Sequence, residues 1–175
     1  MSHTFVDKMM AALRDGDIES PVERLIGMRL VDFDRGAACY ELEVRKDHTN
    51  PMGMVQGGIA AIMADAAMAM ATTTMLTNDE MRVSAVTTAD LFSRFLKPIN
   101  AKKVKSLRAE ARVVKSGRLI MWAECDLMAD GECVGKFTAT GIRVSFDQKD
   151  SAMTSTAAAA SASPDGERDG AGARG

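Results

Sequence analysis

Along this chain the spacing of apolar residues changes period, and the changes mark out its elements. Over 104–114, Leu107, Ala109, Ala111 and Val113 alternate with Arg108, Glu110 and Arg112. That period of two is the signature of a half-buried strand. The same pattern predicts strands at 28–33 and 37–44, joined by a turn at Asp34-Arg35-Gly36. It predicts further strands at 83–96, 118–128 and 132–144, with turns at Lys97-Pro98, Ser116-Gly117 and Asp130-Gly131. Between the second and third strands the period disappears. Residues 57–77 are apolar on nearly every side and predict one long helix, stopped by Asn78-Asp79-Glu80. Upstream, 4–13 can form a short amphipathic helix. Ser20-Pro21-Val22-Glu23 reads as a capping box with Pro at the first helical position.

The order is strand, strand, long helix, then four strands. Short turns imply antiparallel neighbours, and an apolar helix needs cover. The expected class is α+β, an antiparallel sheet wrapped around one long central helix. Three regions are expected: an N-terminal helical segment at 1–27, the main domain at 28–146, and a tail at 147–175. The tail is Ser, Ala, Gly, Asp and Arg with no aromatic residue, a composition that favours disorder.

Composition removes several classes of function. The net charge of -2 gives no general pull toward nucleic acid or anionic membranes. Cys39, Cys125 and Cys133 form no CxxC pair and lie in apolar stretches, which suits small buried hydrophobes in a reducing cytoplasm. The N-terminus shows no secretory signal, so a cytoplasmic location is expected. Residues 57–76 are about as long as a bilayer span of ~20 residues. Yet Ala, Met and Thr dominate there and Asp65 sits near the middle. A helix buried in a soluble protein fits better, and no membrane partner is expected.

Two features carry candidate chemistry. Gln56-Gly57-Gly58 places two glycines at a helix start, where backbone N–H groups lack partners at the positive end of the dipole. A carbonyl placed there would be polarised. Alternatively, the glycines avoid a clash with a neighbouring strand, and the pair alone does not choose. Asp65 is the only acidic residue between Asp47 and Asp79. A buried carboxylate there points to a working acid or base, or to a structural Asp bonded to a neighbouring helix or to Thr hydroxyls. Asp65 follows Gly58 by seven residues, so the two share a helix face but stand ~10 Å apart. A base must lie within ~3 Å of its proton, or one water away. An antiparallel second helix would bring one chain's Asp65 to the other's Gly57, which predicts a homodimer with two composite sites. On chemistry alone Asn50 is a turn opener, Gln56 a helix cap and His48 a solvated surface residue.

Three stretches carry a resemblance. They are Asn50-Pro51-Met52-Gly53-Met54-Val55-Gln56-Gly57-Gly58 running on to Asp65, then Thr87-Thr88-Ala89-Asp90-Leu91 continuing to Phe95-Leu96-Lys97-Pro98, and Val113 to Arg118. Over roughly 27–144 the chain resembles the hot-dog fold acyl-CoA thioesterases, in particular the phenylacetic-acid-degradation (PaaI-type) branch. That resemblance implies hydrolysis of an acyl- or aryl-CoA thioester, with no metal and no cofactor. It implies Asp65 as nucleophile or general base and the Gly57 N–H as the group polarising the carbonyl. Asn50 would position water or the carboxylate, and Thr88 would help hold the attacking water. Gly58, Asp90, Phe95, Lys97, Lys115, Ser116, Gly117 and Arg118 fall where the family contacts CoA. Dimers, often paired into tetramers, are implied as well. One departure stands out: the family's His is Gln56 here, which can donate a hydrogen bond but cannot carry a proton. That departure leaves room for a non-catalytic acyl-CoA binding protein. A hot-dog hydratase would need a catalytic His, and His48 is the only candidate in the domain. Met54, Met63, Met68, Met70 and Met75 could line an acyl pocket or belong to the core.

Overall fold

The computed structural model describes residues 5–16, 20–77, 80 and 84–145. The expected tail at 147–175 lies outside them. Helices α1 (Phe5–Asp15) and α2 (Pro21–Ile26) precede strands β1 (Met28–Asp34) and β2 (Ala37–Glu43). Helix α3 (Gly57–Thr73) follows, then β3 (Ser84–Phe95), β4 (Ser106–Ser116), β5 (Ile120–Ala129) and β6 (Glu132–Ser145). The six strands form one antiparallel sheet in the order β1-β2-β4-β5-β6-β3. Helix α3 packs across one face of the sheet.

The alternation read from the sequence is what buries one side of each strand. Leu107, Ala109 and Ala111 of β4 face α3, as do Met121, Ala123, Cys125 and Leu127 of β5. They meet Ala60, Met63, Ala64, Ala67, Met68 and Ala71 of the helix. The small alanines let the helix sit close on the sheet. On the outward side Arg108 pairs with Glu41 at 2.6 Å, Arg112 with Glu124, and Lys136 with Asp126 at 2.7 Å.

Several expectations need correction. Helix α3 is not covered on all sides. Gly58 and Ile62 are exposed, and Asp65 and Ala69 are half-buried beside the edge strand β3, because the sheet covers the opposite face and reaches this side only along that edge. The helix also ends at Thr73, four residues before the expected stop. Thr72 and Thr73 turn their hydroxyls onto the Ala69 carbonyl, and Thr74 turns its own onto that of Ala71. Asn78 and Asp79 lie outside the described residues. The expected capping box at α2 does not form: Ser20 makes no side-chain cap bond. Glu23 instead accepts the hydroxyl of Tyr40 at 3.0 Å. Strands β3 and β4 are not neighbours despite being consecutive, since β3 crosses to the far edge and pairs with β6.

Candidate active site

The start of α3 is anchored from outside the helix. Thr49 and Val55 form a bridge, and the Val55 N–H donates to the Ile99 carbonyl at 2.8 Å. The Gln56 N–H donates to the His48 carbonyl at 2.8 Å. The exposed Gln56 side chain caps nothing, so the first amides of α3 have no side-chain acceptor at the cap. The two glycines divide between the two readings left open by the sequence. A Cβ on Gly57 would stand 3.2 Å from Cζ of Phe95, so Gly57 accommodates a neighbouring strand. A Cβ on Gly58 would meet nothing within 4 Å. Gly58 therefore presents bare backbone to open space.

Asp65 lies on the same open side of α3 as Gly58. It is half-buried rather than buried, since only β3 reaches that side. Its Oδ1 accepts the Thr88 hydroxyl at 2.7 Å. A β-bulge sets this contact. Thr88 is opposite Gly141 and Asp90 is opposite Thr140, leaving Ala89 as the extra residue. The bulge lets Thr88 and Leu91, three apart, both face the helix. Asp90 consequently shares the outward face with Thr140, turned away from Asp65. Gly57 and Asp65 are eight residues apart, about 12 Å along the axis.

The remaining predicted residues split into two groups. At the N-terminal end of α3, Phe95 touches Gly57 and stacks edge-on against Phe137 at 5.8 Å. Lys97 is exposed there and paired with Glu132. Asn50 Oδ1 accepts the N–H groups of Met52 and Met54 at 3.0 and 3.2 Å. Its oxygen is thus spent on the turn, and its amide N–H₂ is what it can offer a ligand. The Lys115-Ser116-Gly117-Arg118 turn sits at the opposite end. Val113 donates to the Gly36 carbonyl at 2.7 Å, and Gly36 donates to Thr74 Oγ1, just past the helix C-terminus, at 2.7 Å. Lys115 also leans outward, 5.5 Å from the ring of Trp122. One chain therefore does not gather Lys115 to Arg118 with Gly57, Phe95 and Lys97.

His48 differs most from expectation. It is 3% exposed, not solvated, with both ring nitrogens occupied by protein partners. No free imidazole nitrogen remains for a hydratase. No local pattern signals this, because nothing near position 48 distinguishes a loop His that faces inward. Of the methionines, Met63 and Met68 are both core, and Met68 also lines a shallow pocket with Ala69, Thr72, Val86 and Thr88. Burial raises the thiol pKa of Cys39 and pushes that of Cys125 up to about 12, so both stay protonated and unreactive. Among the described residues, no His, Cys, Asp and Glu side chains cluster to hold a metal ion, and no helix is long and apolar enough to cross a membrane.

A carboxylate beside a hydroxyl and a bare helix N-terminus can move a proton and polarise a carbonyl. Comparison with known proteins bears on the class of reaction. Residues 52–135 match the model of the Thioesterase superfamily. Human acyl-coenzyme A thioesterase 13 is 28% identical over 120 residues, covering 68% of this chain and 79% of its own. A phenylacetic acid degradation-related protein from Ralstonia eutropha JMP134 is 28% identical, with a TM-score of 0.66 over 76% of this chain and 98% of that one. The E. coli PaaI protein from the phenylacetic acid degradation operon shares the fold at 19% identity, with a TM-score of 0.65 over 78% and 94%. Residues 52–135 are thus similar to the thioesterase superfamily, the fold is the hot-dog fold that PaaI proteins share, and the chain is a thioester hydrolase.

Proposed function

We propose that this hydrolase cleaves acyl- or aryl-CoA thioesters to the carboxylic acid and CoA. Asp65 acts as general base or nucleophile, and the Gly57 N–H polarises the thioester carbonyl. The observation that carries the reading is the Asp65–Thr88 contact on the same open helix side as the uncapped Gly57-Gly58 start. Acceptance of one hydroxyl leaves the other carboxylate oxygen for a water or for direct attack. Thr88 holds the carboxylate in place. Asn50 lends its amide N–H₂ to the substrate or water, and Gln56 can donate without carrying a proton. The acyl group runs toward the shallow pocket beside Thr88. The CoA substrate is suggested by human acyl-coenzyme A thioesterase 13.

The working unit in this reading is a homodimer, itself able to pair further. The open side of α3 is uncharged apart from Asp65, and it lies beside β3, a twelve-residue edge strand. An antiparallel partner helix would carry its Asp65 to the first chain's Gly57. It would also bring the partner's Lys115 to Arg118 turn to the end where Phe95 and Lys97 stand, making a CoA-binding rim from both chains. Gly58 would line the approach, and Asp90 lies on the outward side of the same edge strand.

The deciding experiment is a panel of CoA esters, from short acyl to aryl and long acyl, given to the wild type and to Asp65→Asn. The wild type should turn over at least one class. The variant should lose about 10²–10⁴-fold in kcat while remaining folded. Unchanged turnover in a folded Asp65→Asn protein would remove Asp65 from the mechanism.

A further inference from the structure

His48 sits behind the helix start with all of its polar groups engaged. Its Nε2–H donates to the Ile26 carbonyl at 2.8 Å, and its Nδ1 accepts the Arg45 N–H at 3.0 Å. These partners require the neutral ring with its proton on Nε2. The Arg45 guanidinium shares the Ile26 carbonyl at 2.9 Å. The main chain of His48 then reaches forward, its carbonyl accepting the Gln56 N–H at 2.8 Å. The Gln56 carbonyl in turn accepts the Ile59 N–H at 2.9 Å.

Between those two bonds lies the planar peptide joining Gln56 to Gly57, which carries the Gly57 N–H. Rotating that peptide would break the Ile59 bond ahead, while the His48 bond behind fixes the preceding peptide, from which it hangs. The ring of His48 is what holds its carbonyl still, because it ties the 46–48 turn to the end of α2. An apolar side chain could fill the same space. It would leave the Ile26 carbonyl with Arg45 alone and the Arg45 N–H without its acceptor.

We propose that His48 is a positioning residue for thioester hydrolysis: locked by its ring, it sets through its carbonyl the direction in which the Gly57 N–H points. The inference rests on the reading of Gly57 as the donor to the thioester carbonyl. His48 does not touch the substrate, being sealed from solvent. Its effect is transmitted along one hydrogen bond to the Gln56 N–H and through the Gln56 backbone, whose carbonyl Ile59 holds, to Gly57. A donor displaced by about 1 Å costs on the order of 10²-fold in rate.

The test compares His48→Leu, His48→Gln and His48→Asn with the wild type by steady-state kinetics, thermal melting and amide hydrogen exchange. In His48→Leu, kcat should fall about 10- to 100-fold with KM nearly unchanged, as expected when a donor used in the transition state is misaimed. The Gln56 amide should lose exchange protection while the amides of β5 keep theirs. His48→Gln, whose amide can reach the Ile26 carbonyl, should recover most of the lost kcat. If His48→Leu fails to fold, His48→Asn gives the same test, since its shorter amide keeps the Arg45 bond and releases Ile26. A folded variant with an unprotected Gln56 amide and wild-type kcat would overturn the proposal. So would unchanged Gln56 protection in folded His48→Leu or His48→Asn. Exchange reads the grip without any substrate, so a wild type inactive on every CoA ester would count against the functional reading and leave the grip separately measured.

Discussion

Thr88, on the edge strand, donates its hydroxyl to Asp65 Oδ1 across 2.7 Å, joining residues 23 apart in sequence. The contact engages one oxygen of the carboxylate, Oδ1, and leaves Oδ2 without a bond from Thr88. A hydrogen bond to a charged acceptor contributes about 1.5–3 kcal/mol, enough to hold the carboxylate in one rotamer. Thr88→Val should therefore reduce kcat by about tenfold at nearly constant KM, and Thr88→Ser should restore it. Equal activity of the Val and Ser variants would show that the hydroxyl has no part in the reaction.

The glycine pair offers a separation of stability from activity. Gly58→Ala adds a methyl to empty space in the first turn of a helix, and should raise stability by about 0.4–1 kcal/mol. The same methyl stands where a thioester would approach, so kcat/KM should fall by on the order of 10- to 100-fold. A higher Tm together with full activity would move the ligand elsewhere. Gly57→Ala differs, because its Cβ would press on the ring of Phe95 at 3.2 Å.

Whether the site is shared between chains can be tested by mixing two inactive proteins. Asp65→Asn keeps the glycines, and Gly58→Val keeps the carboxylate. In a composite dimer their heterodimer holds one intact site, so random mixing should recover about a quarter of wild-type activity. A site confined to one chain would recover none. Size-exclusion of each variant, run alongside, checks that both still pair.

Glu23 gives a pH-dependent stability. Burial raises its carboxyl pKa, opposed by hydrogen bonds from Tyr40 and Ser20. The folded protein thus prefers the protonated form. That contribution is fully present below the unfolded carboxyl value of about 4.3 and is lost as pH rises through the raised folded value. Glu23→Gln keeps an acceptor for Tyr40 and carries no charge. Its melting temperature should exceed that of the wild type at pH 7–8, with the difference vanishing toward pH 4. A constant difference across that range would mean the carboxyl is not titrating.

Local patterns carried most of the fold. The Leu107-Ala109-Ala111 alternation and the uncharged run after Gly57 placed β4 and α3, because burial imposes period two on one and apolarity on the other. Asp65 could be read as an outlier in that run, and Thr88 came from the resemblance. What stayed hidden was set by pairing between distant segments. Nothing in 84–95 says that this strand lies beside β6 rather than β4. The bulge at Ala89 depends on that partner, and with it the outward turn of Asp90. His48 was hidden for the same reason. Its burial requires the Ile26 carbonyl, 22 residues away, which no local window contains.

Trp122 is the chain's only tryptophan, and it stands 45% exposed on the outward side of the sheet beside Lys115. Its indole is separated from Asp65 and Gly57 by the sheet itself. Its emission is thus a built-in reporter of one face alone. The acyl group entering beside α3 should not reach the indole, whereas a second dimer pressed on the outward face would shift the emission maximum to the blue and shield it from a soluble quencher.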